Sequence, residues 1–202
     1  MQIVVRRLIL DFGCGDGKWL KENGGSFAVG IDVDKKLIKL AKYNVKNGTS
    51  LIVADGCHLP FKNGCFDYVH VRLTLHHIKG YKNAILEISR VLKGIMYLEE
   101  AVDDYFLIAL ARRLVRNWRG MPVHSFFRSD NLINVLRENS FKILKVGYKS
   151  YLLLSHLISY FSIKSKFVSY LDYLYDSILH SLHLSKYFAS RVQIIASSKG
   201  GI

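Results

Sequence analysis

The stretch Leu8-Ile9-Leu10-Asp11-Phe12-Gly13-Cys14-Gly15-Asp16-Gly17-Lys18-Trp19-Leu20 decides the fold. Leu8, Ile9 and Leu10 form a short apolar run of the kind that makes a strand buried on both faces. The run closes on Asp11, and Gly13, Gly15 and Gly17 follow at alternate positions before a helix start at Lys18. Glycine there lets the backbone turn tightly and lets a ligand approach the main chain. A strand, a Gly-rich turn and a helix N-terminus together make a nucleotide-binding crevice. A dinucleotide fingerprint, G-x-G-x-x-G, would need glycine where Lys18 stands when counted from Gly13. The observed spacing is Asp-x-Gly-x-Gly-x-Gly.

Outward from this stretch, strands and helices alternate. Lys18 to Asn23 reads as a short helix ended by Gly24-Gly25, and Phe27 to Ile31 as a second strand closing on Asp32. An acidic residue about 20 positions past the first glycine, at a strand end, is where a ribose diol is held. The other role open to Asp32, capping the next helix, is better met by Asp34 ahead of Lys35 to Asn44. Leu51 to Ala54 is a third strand closing on Asp55, and Phe66 to Val71 a fourth. Tyr81 to Leu92 has helical periodicity, ended by Gly94, and Ile95 to Leu98 is a fifth strand closing on Glu99-Glu100. Phe141 to Tyr148 is a sixth strand, Arg191 to Ala196 a seventh, and Ser129 or Asp130 caps a helix running to Asn139. Strands alternating with helices imply right-handed βαβ units in a parallel sheet.

The 202 residues suffice for one α/β domain, and half of them are hydrophobic, which excludes a disordered chain. Cys14, Cys57 and Cys65 lack C-x-x-C spacing, which argues against a disulfide framework or a zinc site and suits a reducing cytoplasm. Arg6 and Arg7 interrupt the N-terminal apolar residues, so no signal peptide is read, and the apolar tract Tyr151 to Ile163 is shorter than the roughly 20 residues that span a bilayer. The formal net charge of +13 favours an anionic partner: nucleic acid, an acidic membrane face or a phosphorylated substrate. A basic solvated surface accounts for it equally well.

Four phrases in order, the Gly-rich stretch, ADGCHLPFKNGCFD, LTLHHI and EISRVLKGIMYLEE, resemble successive motifs of the class I S-adenosylmethionine-dependent methyltransferases, in particular the type 11 small-molecule branch that includes quinone- and lipid-biosynthesis enzymes. The resemblance runs from about Leu8 to Glu100 and more weakly through Phe141. It implies a Rossmann-like, doubly wound sheet of seven strands, mostly parallel with the last antiparallel, in a single domain over residues 1–202. It implies S-adenosylmethionine as cofactor, with Asp11, Gly13, Cys14 and Gly15 toward its methionine end and Asp32 and Val33 at the ribose. Asp55 would take the adenine amino group, Gly56 or Cys57 would supply a backbone N–H, and Arg72 completes the set. The chain departs from the family in its short N-terminus and in Lys93-Gly94, where a glycine pair usually precedes the fifth strand.

Segments that follow strands five and six begin on the crevice side of a parallel sheet, so 101–127 and 149–189 are expected to roof the site as helical lids. The first reads as a helix from Asp103 to Trp118 with Arg112, Arg113, Arg116 and Arg119 close together, of which Arg112, Arg116 and Arg119 share one face by helical spacing; the second mixes Leu, Tyr, Ser and His without a clean polar face. Packing on the sheet or on a second subunit competes with an apolar substrate tunnel or a peripheral membrane contact. Methyl transfer from a sulfonium needs no metal. A base helps when the acceptor is a hydroxyl or an acidic carbon, and His76, His77, His124 and Glu100 are the candidates, each with a structural role as its alternative. His70 reads as a core or cap residue. No Asn/Asp-Pro-Pro-Tyr/Phe sequence follows the fourth strand, and no Pro-Cys pair exists, which disfavours methylation of base amino groups and of cytosine carbon. The resemblance to the small-molecule branch, together with the apolar lid, implies a small, apolar acceptor methylated at oxygen or carbon. The alternatives are an RNA methyltransferase using the basic surface and a catalytically idle subunit that binds a partner.

Overall fold

In a computed structural model of the chain, residues 7–25, 27–106, 109–110, 127–151 and 166–198 are described. Seven strands form one sheet in the order β3-β2-β1-β4-β5-β7-β6. They are β1 (Ile9–Phe12), β2 (Ala28–Asp32), β3 (Ser50–Val53), β4 (Phe66–Arg72), β5 (Leu92–Ala101), β6 (Phe141–Lys149) and β7 (Arg191–Ser198). β1 pairs in parallel with β2 and β4, β2 with β3, and β4 with β5. β7 runs antiparallel between β5 and β6. The expected doubly wound sheet with an antiparallel last strand is the observed one.

The helices are α1 (Lys18–Asn23), α2 (Lys35–Asn44), α3 (Tyr81–Val91), α4 (Ser129–Glu138) and α5 (Lys166–Ser181). One sheet face is a closed core: Leu10, Phe12, Val69, Val71, Met96, Leu98 and Ile194 pack against Ile85 and Ile88 of α3 and Leu132 and Leu136 of α4. Burying each such side chain contributes roughly 1.5–3 kcal/mol, which makes this layer the main support of the strand ends above it. Asp34 caps α2 as its position suggests, accepting from the Lys36 amide at 2.7 Å.

Two local expectations are corrected. α3 ends at Val91, one residue short of the expected Leu92, and Gly94 is not its stop; β5 starts at once with Leu92, and Gly94 lies inside the strand. A Cβ at Gly94 would overlap the Asp67 carbonyl oxygen, so glycine there admits β4 rather than ending a helix. Here β4 advances from Phe66 to Tyr68 while β5 advances from Leu92 to Ile95, and the Asp67 and Tyr68 amides both donate to the Leu8 carbonyl, at 2.9 and 3.3 Å. Second, neither Ser129 nor Asp130 caps α4. Ser129 is fully buried in the first turn, and Asp104 caps from a distance, its Oδ1 accepting from the Ser129 amide at 3.0 Å.

Of the expected lids, residues 111–126 and 152–165 lie outside the described residues, and with them Arg112, Arg113, Arg116, Arg119 and His124. Phe106, Ala109 and Leu110 are helical, as expected for 103–118. α5 falls within 149–189 and is tied to the end of β6, where Asp176 Oδ1 accepts from the Ser150 amide at 2.8 Å. Among the described residues, no helix is long and apolar enough to cross a membrane.

Candidate functional site

The carboxyl ends of β1, β2 and β4 open into a cavity of about 560 Å³. The loop after β1 forms its floor. Gly13, Gly15 and Gly17 have φ of 74°, 54° and 79°, values in the left-handed region that favours glycine. The amides of Gly13 and Cys14 both donate to the Ile31 carbonyl, at 2.9 and 2.8 Å, which hangs the loop on β2. The two wall glycines differ in what surrounds them. A Cβ on Gly13 would overlap Thr74, whereas one on Gly15 meets nothing within 4 Å and would stand in open space on the cavity wall.

Asp32 at the tip of β2 organises the rim. Its Oδ2 accepts from the Gly15 amide at 3.0 Å and its Oδ1 from the Asp34 amide at 2.9 Å. Asp55, beyond β3, lies on the same wall with Val33, Gly56 and Arg72. The Cys57 amide donates to Asp55 Oδ1 at 2.9 Å, and this bond, with His58 at 3.3 Å, holds the Asp55 carboxyl below the usual range. The Cys57 N–H expected to serve a ligand is thus engaged by Asp55, and Gly56 remains on the wall. The other lining is apolar: Phe12, Ile31, Leu37, Ala54 and Ile78.

Asp11 and Cys14 do not line the cavity. Asp11, only 3% exposed, lies behind the glycine loop, where its Oδ1 pairs with His70 Nδ1 at 2.8 Å. Trp19 stacks on the His70 ring with centroids 4.0 Å apart, and the Tyr97 ring lies parallel to His70 at 5.6 Å. Burial outweighs the His70 contact and raises the Asp11 carboxyl above its ordinary range. Its Oδ2 is buried with no hydrogen-bond partner. Burial likewise pushes the Cys14 thiol up to about 12.

Leu73 continues β4 at φ 51°, unusual for a branched side chain, and its amide donates to the Glu99 carbonyl at 2.8 Å. A single 3₁₀ turn, Leu75–His77, follows. Fully buried Glu100 pins it: the carboxylate accepts from the Thr74 amide at 2.7 Å, the His76 amide at 3.3 Å and His76 Nδ1 at 2.8 Å. The His76 and His77 rings lie 4.0 Å apart, and His77 is on the cavity wall. The other carboxylate, Glu99, faces the opposite side of the sheet, where Gln193 (2.8 Å), Arg191 (2.9 Å), Tyr97 (3.0 Å) and Arg72 (3.4 Å) all donate to it. His76, His77 and Glu100 are therefore brought together; His124 lies outside the described residues. Sequence reading missed Leu73, Thr74 and the Glu99 cluster. Arg191 and Gln193 approach Glu99 only through the β5–β7 register, which pairs Glu99 with Gln193.

The donor set fits S-adenosylmethionine, the cofactor implied by the sequence. An orphaned carboxylate oxygen behind the loop suits an ammonium, two wall carboxylates suit ribose hydroxyls and an exocyclic amine, and the apolar lining suits a flat ring.

Residues 10–96 match the family described as "Methyltransferase domain". The uncharacterized protein MJ1123 of Methanocaldococcus jannaschii is 30% identical over 138 residues, covering 67% of this chain and 65% of that one. A tRNA (carboxymethyluridine(34)-5-O)-methyltransferase of Arabidopsis thaliana is 37% identical over 89 residues, 43% of this chain and 21% of that one. The chain thus spans less than two thirds of the length of these curated relatives. Among solved structures, a SAM-dependent methyltransferase of Thermotoga maritima, described as a possible histamine N-methyltransferase, superposes with a TM-score of 0.69 over 98% of this chain and 84% of that one. At 15% identity that likeness speaks for the fold alone.

Proposed function

We propose, for a chain that carries a class I S-adenosylmethionine-dependent methyltransferase domain, that it transfers the cofactor's methyl group to oxygen or carbon of a small, apolar acceptor. The observation that carries this reading is the Gly15–Asp32 arrangement: an open glycine wall beside a carboxylate already oriented by two backbone amides. In this reading Asp32 binds the ribose hydroxyls, with Val33 beside them. Asp55 and the Gly56 amide take the adenine edge, Gly13 and Gly15 admit the methionine portion, and Asp11, one layer behind the loop, lends its negative charge toward the ammonium. Arg72 closes the same wall. The bound cofactor supplies a methyl group on a positively charged sulfur, with a neutral thioether as leaving group.

The chain's own contribution is placement and proton management. Glu100 cannot reach an acceptor, because it is fully buried, so we assign it the role of a positioning residue. When His76 donates from Nδ1 to Glu100, its Nε2 keeps the lone pair, and a carboxylate-backed imidazole is the arrangement a general base requires. Of the two neighbouring imidazoles, His77 is the one on the cavity wall, with the His76 ring held against it by Glu100. The lids over 101–127 and 149–189 would enclose the acceptor. The chain would act in the cytoplasm, with a homodimer or a peripheral membrane contact as further associations.

A second reading, an RNA acceptor, is favoured by one observation: the Arabidopsis relative is a tRNA methyltransferase. It is compatible with the net charge of +13. The idle-subunit alternative differs from both in turnover.

The test is calorimetric titration with S-adenosylmethionine, with NAD as control, on the parent and on Asp32→Ala. The expected result is binding of S-adenosylmethionine alone, lost in the variant. Radiolabelled methyl transfer to pooled lipid, quinone and RNA acceptors then identifies the acceptor. Absence of cofactor binding would overturn the reading, and binding without turnover on any pool would favour the idle subunit.

A further inference from the structure

The side of α2 turned away from the sheet carries charge that the fold itself does not use. Lys35, Lys39 and Lys42 stand at i, i+4 and i+7, with Lys36 beside them and Lys46 just beyond the helix end; all five are exposed. Between them Tyr43 is 89% exposed and Leu40 53%. Among the described residues, none of these lysine side chains forms an ion pair or a hydrogen bond. Like charges four apart on a helix repel. Lys35 and Lys36 sit in the first turn, where the helix dipole disfavours cations, and that turn has no acidic residue. An intramolecular role therefore does not account for the stripe. It also borders the cavity, because Leu37 in the first turn of the helix and Val33 just before it line the cavity wall.

We propose that this face of α2 is a docking surface for RNA, with the lysines taking successive phosphates and the Tyr43 ring offering a stacking platform for a base. Cations that track a backbone, interleaved with an exposed aromatic ring, are what sequence-tolerant recognition of a single strand requires. A membrane surface fits less well. A helix that lies on lipid presents its apolar face to it, and the apolar face of α2, Ile38 and Ala41, is buried. The proposal does not depend on methyl transfer, since binding is read without cofactor.

The experiment is fluorescence anisotropy of the whole chain with a labelled 20-nucleotide oligouridylate and with bulk tRNA across a salt series. The variant is K36E/K39E/K42E; the control is K62E/K82E/K142E, the same charge change at exposed lysines outside α2. Thermal unfolding and S-adenosylmethionine titration of each protein show that fold and cavity are intact, and report separately on the methyltransferase reading. The expected result is salt-sensitive RNA binding, weakened at least tenfold at 0.1 M salt in the α2 variant and less than threefold in the control. The slope of log affinity against log salt should fall by about two, from roughly 0.7 per lost single-strand phosphate contact. Absence of RNA binding, equal losses in the two variants, or binding to vesicles containing phosphatidylserine in preference to RNA would each overturn the proposal.

Discussion

Gly13 and Gly15 are two residues apart in one loop, yet alanine should act on them in different ways. At Gly15 the backbone is left-handed at φ 54° and a Cβ meets nothing within 4 Å. The left-handed conformation costs a non-glycine residue roughly 1–2 kcal/mol, and alanine recovers about 0.4–1 kcal/mol by restricting the unfolded chain. Gly15→Ala should therefore cost about 1 kcal/mol, a drop of about 2–4 °C in Tm for a chain of this size. At Gly13, φ 74°, the same strain applies, but the methyl group also overlaps Thr74. Thr74 cannot swing away freely: its amide is held by Glu100 and its hydroxyl donates to the Arg72 carbonyl at 3.0 Å. Overpacking of this kind costs roughly 1–3 kcal/mol more, so Gly13→Ala should lose about 2–4 kcal/mol, or roughly 5–12 °C. Affinity reverses the emphasis. The Gly15 methyl group enters space the cofactor would occupy, so S-adenosylmethionine affinity should fall at least tenfold in a nearly intact protein. Differential scanning fluorimetry and calorimetric titration read the two quantities. Gly15→Ala binding within twofold of the parent would refute the placement of the cofactor, and equal Tm values for the two variants would refute the steric account.

Three other outcomes follow from the geometry. Burial pushes the Glu99 carboxyl up, but Gln193, Arg191, Tyr97 and Arg72 together bring it down to about 2. This carboxyl is lowered on folding, so its contribution, at most about 3 kcal/mol, is complete above pH 4.5 and lost toward pH 2; urea titrations of parent and Glu99→Gln should converge over that range. His70→Ala removes the one side-chain partner, among the described residues, of a carboxylate whose side chain is 4% exposed, and should cost about 3–5 kcal/mol at neutral pH. The loss should shrink in acid as Asp11 takes a proton, and a pH-independent loss would contradict the pairing. Gly94→Ala forces a methyl group onto the Asp67 carbonyl, a backbone atom that cannot rotate aside, and should cost at least about 2 kcal/mol in chemical denaturation.

Most of the sheet was legible because buried parallel strands are apolar runs closed by acidic residues. Asp11, Asp32 and Asp55 lie within two residues of the ends of the first three strands, and the glycine spacing placed the loop. What escaped was information carried by register and by distance along the chain. The helix at Ser129 looked self-capped, but its cap is Asp104, 25 residues upstream. Gly94 reads as a helix stop because glycine commonly ends helices, whereas that glycine admits a neighbouring strand. His76, His77 and Glu100 were named individually; that Glu100 holds the turn by two backbone amides as well as an imidazole depends on β5 lying beside β4, which no local signal reports. Asp11 was expected at the ligand surface and lies one layer deeper, because alternation along β1 turns it toward His70 while Leu10 and Phe12 enter the core.

The slip between β4 and β5 sets the phase of everything downstream on β4. Phe66 enters the core, and strict two-residue alternation from it would send Tyr68, His70 and Arg72 the same way. The irregularity at Asp67–Tyr68 reverses the parity, so that Val69 and Val71 enter the core instead. His70 thereby meets Asp11 and Arg72 meets Glu99. One half-step in a strand, placed below the cavity, thus decides which ion pairs stand behind its wall. A shift of a single residue in that phase would turn the strand inside out, exchanging valines for a histidine and an arginine and carrying Arg72 off the cavity wall.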